Sequence, residues 1–213
     1  MSSINYKNTN ELVSLYNNNS FEELIYKSKL LLKKDPNNYF LNNICGMTYV
    51  RLSNFKKASE FFSKAIKINP NNYEAFNNLA TCLSYLGKFE ESVESYKKAL
   101  KNNPNSAEIF NNLGNTFKDL GKFDEAINYY FKSLNVNSNF KNAKNNIIKT
   151  LAFHNPKKIN TNPFFLVSKK LQSLNIKFDR KKRISDLNIK IMFNKWMDIT
   201  KDYFNDLEYE YSQ

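Results

Sequence analysis

Apolar residues in this chain fall at helical spacing, in short stripes broken at regular intervals by polar turns. Phe76, Leu79, Leu83 and Leu86 form one such stripe, on the single face that a 3.6-residue period creates. Stripes of this kind predict helices near 39–52, 55–68, 73–86, 89–102, 107–120, 123–136 and 141–153. A less regular pair is expected near 8–17 and 21–34. The breaks repeat as well. Pro36, Pro70 and Pro104 are 34 residues apart, in Asp35-Pro36-Asn37-Asn38, Asn69-Pro70-Asn71-Asn72 and Asn103-Pro104-Asn105. Proline cannot continue a helix and restricts the residue before it, so each marks a helix stop. Phe21, Phe55, Phe89 and Phe123 open helices at the same interval. Within the repeats follow the small residues Ala58, Ser92 and Ala126, then Phe62, Tyr96 and Tyr130, then Ala65, Ala99 and Ser133. Gly87 and Gly121 stand between paired helices, with Ser53 in the corresponding place.

The spacing has a mechanical reason. Two short helices cannot bury both of their stripes against each other, so a following pair must cover what remains. Small side chains at the crossing let helix axes approach to about 8–10 Å. Aromatic neighbours fill the space alongside.

These residues resemble the tetratricopeptide repeat (TPR) family. The match runs through Glu74-Ala75-Phe76-Asn77-Asn78-Leu79-Ala80, Leu86-Gly87-Lys88-Phe89, Ser92, Tyr96, Ala99 and Pro104. It runs again through Phe110-Asn111-Asn112-Leu113-Gly114, Gly121, Phe123, Ala126, Tyr130 and Ser133. The repeat from Tyr39 to Asn72 departs at Asn42, where a large apolar residue is usual, and at Ser53, which replaces the turn glycine. The resemblance implies an all-α superhelix of helical hairpins with a C-terminal helical appendix. The expected organisation is a degenerate repeat or cap over 1–38, three repeats over 39–138 and a capping helix over 139–154. Residues 155–213 would form a basic linker and helical tail, or the start of a truncated downstream domain.

The resemblance also implies that the first helix of each pair lines an inner groove. Groove positions would include Asn43 and Ile44, Asn77 and Asn78, Asn111 and Asn112, and Asn145 and Asn146. Thr81, Asn115 and Lys149 lie one helical turn further along. Asn78, Asn112 and Asn146 share one phase of the repeat. A primary amide offers a donor and an acceptor together, so it can pair with both backbone groups of an extended peptide. The pattern is similar to the asparagine ladder of O-linked N-acetylglucosamine transferase repeats. A clamp on a C-terminal carboxylate is disfavoured, because Asn43 stands where lysine is needed and Met47 where asparagine is needed.

Composition narrows the alternatives. Hydrophobic residues make up 41% of the chain and aromatics 15%, enough to build a core. Gly and Pro number only 4 and 5, against a turn-rich β protein. Cys45 and Cys82 lack metal or redox spacing and read as small buried hydrophobes. The N-terminus shows no apolar signal segment and no stretch is long enough to span a bilayer, so a cytoplasmic protein with no membrane partner is expected. The net charge of +12 is uneven. Residues 1–140 carry 17 basic and 13 acidic groups, residues 141–183 carry 12 against one, and the remainder is acidic. The basic segment includes Arg180-Lys181-Lys182-Arg183, a run that could meet phosphates. No aromatic interleaves with it, so nucleic acid is disfavoured and a solvated loop preferred.

Candidate catalysis is sparse. His154 is the sole histidine, whereas a non-haem iron site needs two with a carboxylate. No G-x-S-x-G, phosphate loop or dinucleotide fingerprint occurs. No catalytic residue, metal or cofactor is expected in these residues. The leading expectation is a scaffold that binds an extended peptide or a partner helix. One alternative is the substrate-recruiting part of a larger glycosyltransferase or 2-oxoglutarate/iron oxygenase; residues 162–213 resemble the linker before an oxygenase-like domain of the latter kind. Another is a basic surface docking on nucleic acid.

Overall fold

The structure is a computed structural model that describes residues 6–153. The described residues form nine helices. In chain order these are α1 (Tyr6–Asn17), α2 (Phe21–Lys34), α3 (Tyr39–Arg51), α4 (Phe55–Ile68), α5 (Tyr73–Tyr85), α6 (Phe89–Asn102), α7 (Ala107–Asp119), α8 (Phe123–Val136) and α9 (Lys141–Phe153). The all-α class is as expected, and each predicted helix is present with its ends shifted by at most two residues. The basic run Arg180–Arg183, His154 and the expected tail lie outside the described residues.

The 34-residue period is visible in the backbone. Asp35, Asn69 and Asn103, which precede the three prolines, leave the helix at φ −137°, −130° and −137° with ψ 78°, 87° and 86°. That extended geometry is the one proline imposes on its predecessor. The following helix is then capped. Asn38 accepts from Leu41 N at 3.1 Å, Asn72 from Ala75 N at 2.9 Å, and Ser106 Oγ from Ile109 N at 3.3 Å. Each satisfies one of the four donors a helix start leaves unpaired.

The turn inside each hairpin repeats too. Gly87 and Gly121 adopt φ of 73° and 72°, with Ser53 at 55° and Asn19 at 58° in the equivalent places. The next amide reaches back five residues to close the helix end, as in Lys88 N to Leu83 O at 2.9 Å and Asn54 N to Tyr49 O at 2.8 Å. Glycine fits this left-handed position without strain. Ser53 accepts the steric cost, of about 1–2 kcal/mol, to keep the same turn.

Two compact units divide at Asn112, within α7. In the first, α1 to α6 form three hairpins, and each helix packs chiefly on its neighbours in the chain. Leu12, Leu24, Leu41 and Ile44 make the core where the N-terminal hairpin covers α3. Tyr49, Ala58, Phe62 and Cys82 make the next, joining α3, α4 and α5. In the second unit, α8 and α9 bury Ala126, Ile127, Tyr130, Phe131, Leu134, Ala143 and Ile147. At about 25 cal/mol per Å² of apolar surface removed from water, such shared clusters stabilise hairpins that could not stand alone.

The residues expected to set the helix crossings do so. Ala58, Phe62, Ala65, Ala99, Ala126 and Tyr130 are wholly buried, as are Ser92 and Ser133. Ser92 Oγ donates to Ala80 O at 2.8 Å, so its hydroxyl is satisfied across the α5–α6 crossing. Both cysteines are buried free thiols. Burial pushes the Cys45 thiol up to about 11 and the Cys82 thiol up to about 12. The folded state therefore holds these protons more tightly than the unfolded chain, for which 9.0 is usual. Stability is full below that value and falls as pH rises through the interval up to the folded values. A lower urea midpoint is expected at about pH 10.5 than at about pH 8, and substituting Cys45→Ala with Cys82→Ala should flatten the difference.

Candidate peptide-binding face

The candidate face is built on the first helix of each hairpin. In the first unit these are α3, α5 and the opening of α7, and they carry few charges. Across α3 and α5 the only ionised side chains are Arg51 and Glu74. The second helices differ sharply, since α4 and α6 each carry at least four lysines or glutamates. Beside α4 and α6, α3 and α5 are poor in charge.

Amides and hydroxyls take its place. Asn112 Nδ2 donates to Asn77 Oδ1 at 3.5 Å, a link from α7 to α5. Asn111 Nδ2 donates to Asn112 Oδ1 at 3.4 Å. The Asn77 Nδ2 and both ends of the Asn78 amide have no hydrogen-bond partner among the described residues. Asn43 Nδ2 makes a weak contact to Met47 Sδ at 3.6 Å, while its Oδ1 is buried without a donor. Thr81 Oγ1 donates to Asn77 O at 3.0 Å or shares its proton with Tyr96 Oη at 2.9 Å. Burial, the largest influence, raises the Tyr96 hydroxyl well above its usual range, so it stays protonated.

The second unit shows related chemistry. Tyr130 Oη donates to Asn115 Oδ1 at 2.8 Å, and Asn146 Nδ2 donates to the same oxygen at 3.0 Å. Tyr130 too is raised by burial and acts as a fixed donor. Asn145 and Lys149 are exposed on α9.

Two of the positions expected to line a groove are buried. Ile44 is 5% exposed and belongs to the core beneath the N-terminal hairpin. Asn111 is 4% exposed, held against its neighbour rather than opened to solvent. Asn43, Asn77, Asn78, Thr81 and Asn112 remain partly accessible in the first unit, as do Asn115 and Asn146 in the second.

The tyrosine partnership was missed from sequence, although a signal exists. Tyr96 faces Thr81 and Tyr130 faces Asn115, in each case 15 residues back. In the first full repeat the same two places hold Phe62 and Met47. Where the ring loses its hydroxyl, the partner loses its polar group.

Sequence models of the tetratricopeptide repeat match residues 42–72, 61–94 and 107–140, and a TPR repeat model matches 83–121. The chain carries tetratricopeptide repeats. Solved structures agree on the fold. One crystal structure of MamA protein superposes with a TM-score of 0.66 at 20% identity, covering 84% of this chain and 98% of MamA. Another scores 0.64 at 22% identity, over 77% and 94% of the two chains. A MamA RS-1 ArsTM double mutant scores 0.64 at 16% identity, over 80% and 93%. At such identities the likeness is one of fold. No curated protein matches this chain. With the repeat established, the hairpin turns, crossing residues and buried aromatics of residues 39–138 are read as parts of TPR units. Among the described residues, no helix of this TPR chain is long and apolar enough to cross a membrane, and no group of His, Cys, Asp and Glu could hold a metal.

Proposed function

We propose that this chain is a protein-interaction scaffold whose first helices receive an extended peptide, or a partner helix, on an amide-rich face. The observation that carries the reading is the array on α3, α5 and α7 of the first unit. Asn77 and Asn112 are linked side chain to side chain, and beside them the Asn78 amide and the Asn77 N–H donors are uncommitted among the described residues. Pre-linked amides resist rotation, so less side-chain entropy is lost when a ligand docks. Each uncommitted amide offers a donor and an acceptor in the pairing that a peptide unit requires. The shortage of charge favours recognition of backbone over recognition of a charged terminus. The analogy is with the amide ladder of O-linked N-acetylglucosamine transferase repeats, and it concerns recognition, not catalysis.

The expected affinity is modest, since each net hydrogen bond contributes about 0.5–1.5 kcal/mol. The test is a peptide-array screen followed by calorimetry. Asn78→Ala combined with Asn112→Ala should weaken the selected peptide by about tenfold or more, with the helical circular dichroism spectrum unchanged. An unaltered affinity would show that the peptide is held elsewhere.

A further inference from the structure

The second and third repeats carry an aromatic residue at a place where the first has none. Phe76 and Phe110 are 34 residues apart, and the corresponding position one repeat earlier is Asn42. Around Asn42 the surface is hollow. A depression of about 580 Å³ is lined by Leu32, Pro36, Asn42, Lys64, Lys67 and Ile68, all within the first unit. Twice the chain supplies a ring at this place in the repeat. Here it leaves room for one.

The polar accounting at the floor is specific. Asn42 is 1% exposed. Its Nδ2 donates twice, to Asn38 O at 2.8 Å and to Pro36 O at 3.2 Å, which uses both hydrogens. Its Oδ1 receives no donor among the described residues. Leu32, Pro36 and Ile68 make apolar walls. At the rim stand the exposed Lys64 and Lys67, neither paired with a carboxylate among the described residues. Lys64 already sits over the Phe61 ring, 5.2 Å from its centroid, so its ammonium reaches aromatic faces from this position. No acidic side chain lines the hollow.

We propose that this hollow is a socket for an aromatic side chain bearing an N–H or O–H donor, carried on an acidic segment of a partner protein. The ring supplies what Phe76 and Phe110 supply at the same place in the later repeats. Its donor pairs with Asn42 Oδ1, an acceptor that receives no donor among the described residues. Carboxylates flanking the ring meet Lys64 and Lys67. The socket uses Asn42 at the start of α3 with α2, α4 and the Pro36 turn, and none of Asn43, Asn77, Asn78 or Asn112 lines it.

Indole-3-acetate, which combines ring, N–H and carboxylate, is the probe. Titrated into the isotope-labelled full chain, it should shift the Asn42 side-chain amide and the backbone resonances of Leu32, Lys64, Lys67 and Ile68. Asn42→Phe supplies the missing ring and should abolish those shifts while raising the melting temperature. Lys64→Ala with Lys67→Ala should weaken binding by about fivefold or more, and tryptamine, with a cation in place of the carboxylate, should bind less well than indole-3-acetate. The proposal is overturned if millimolar indole-3-acetate leaves these resonances unmoved, or if the shifts persist in Asn42→Phe. Should Asn42→Phe fail to fold, undiminished affinity in the double lysine variant overturns it.

Discussion

Phe62→Ala is expected to destabilise the protein by about 3–5 kcal/mol, the usual range for truncating a buried phenylalanine. Phe62 is wholly buried, at the meeting of α3, α4 and α5 with Tyr49, Ala58 and Cys82. Its ring also lies where a side chain on Gly46 would stand, so the two residues together fill one space. The fully buried neighbours can refill little of the vacancy. Ala58 is too short, Cys82 is held by its helix, and Tyr49 is already stacked on Phe61 with centroids 5.5 Å apart. Because neighbouring hairpins share this cluster, the loss reaches both of them. Urea denaturation measures it. With a slope of about 1–3 kcal/mol per molar, the midpoint should fall by at least about 1 M. A fall of a few tenths of a molar would mean that the α3–α4 crossing does not depend on this ring.

Gly114→Ala carries the second large effect, about 1–3 kcal/mol from overpacking. A β-carbon at Gly114 would stand 2.6 Å and 2.7 Å from Tyr130 ring atoms and 3.1 Å from Ala126 O. The ring cannot turn aside cheaply, since its hydroxyl is held by Asn115 and its body is wholly buried. The carbonyl oxygen is backbone and yields least. For Gly46→Ala the three nearest atoms, at 2.7–2.9 Å, all belong to the Phe62 ring, which has no hydrogen bond to lose. The expected order in thermal melting is therefore a larger drop for Gly114→Ala than for Gly46→Ala. The middle repeat already holds alanine at this place, Ala80, and uses Ser92 to bridge the crossing.

Much of the fold was legible because the sequence repeats itself in step with the structure. A proline every 34 residues, a following cap and a glycine between paired helices are local signals, each with its own backbone cause. The site was less legible. The resemblance implied a groove position for Ile44, but α1 and α2 lie over that part of α3 and draw it into their core. Asn42 read as a departure from pattern, whereas the structure shows it tying the helix start to the Pro36 turn through two hydrogen bonds. The links from Asn112 to Asn77 and from Asn146 to Asn115 depend on side-chain rotamers across neighbouring helices. No spacing rule predicts such rotamers. The tyrosine seam was readable in principle, because Phe62 with Met47, Tyr96 with Thr81 and Tyr130 with Asn115 change polarity together.

The most direct measurement is a nuclear magnetic resonance titration of side-chain amides with a peptide selected from the array. If the inner helices hold the peptide backbone, the Asn77 and Asn78 side-chain N–H signals shift first and saturate with the calorimetric affinity, and Asn112 follows through its link to Asn77. Shifts confined to the lysines and glutamates of α4 and α6, with these asparagine signals unmoved, would place the ligand on the outer helices and contradict the account.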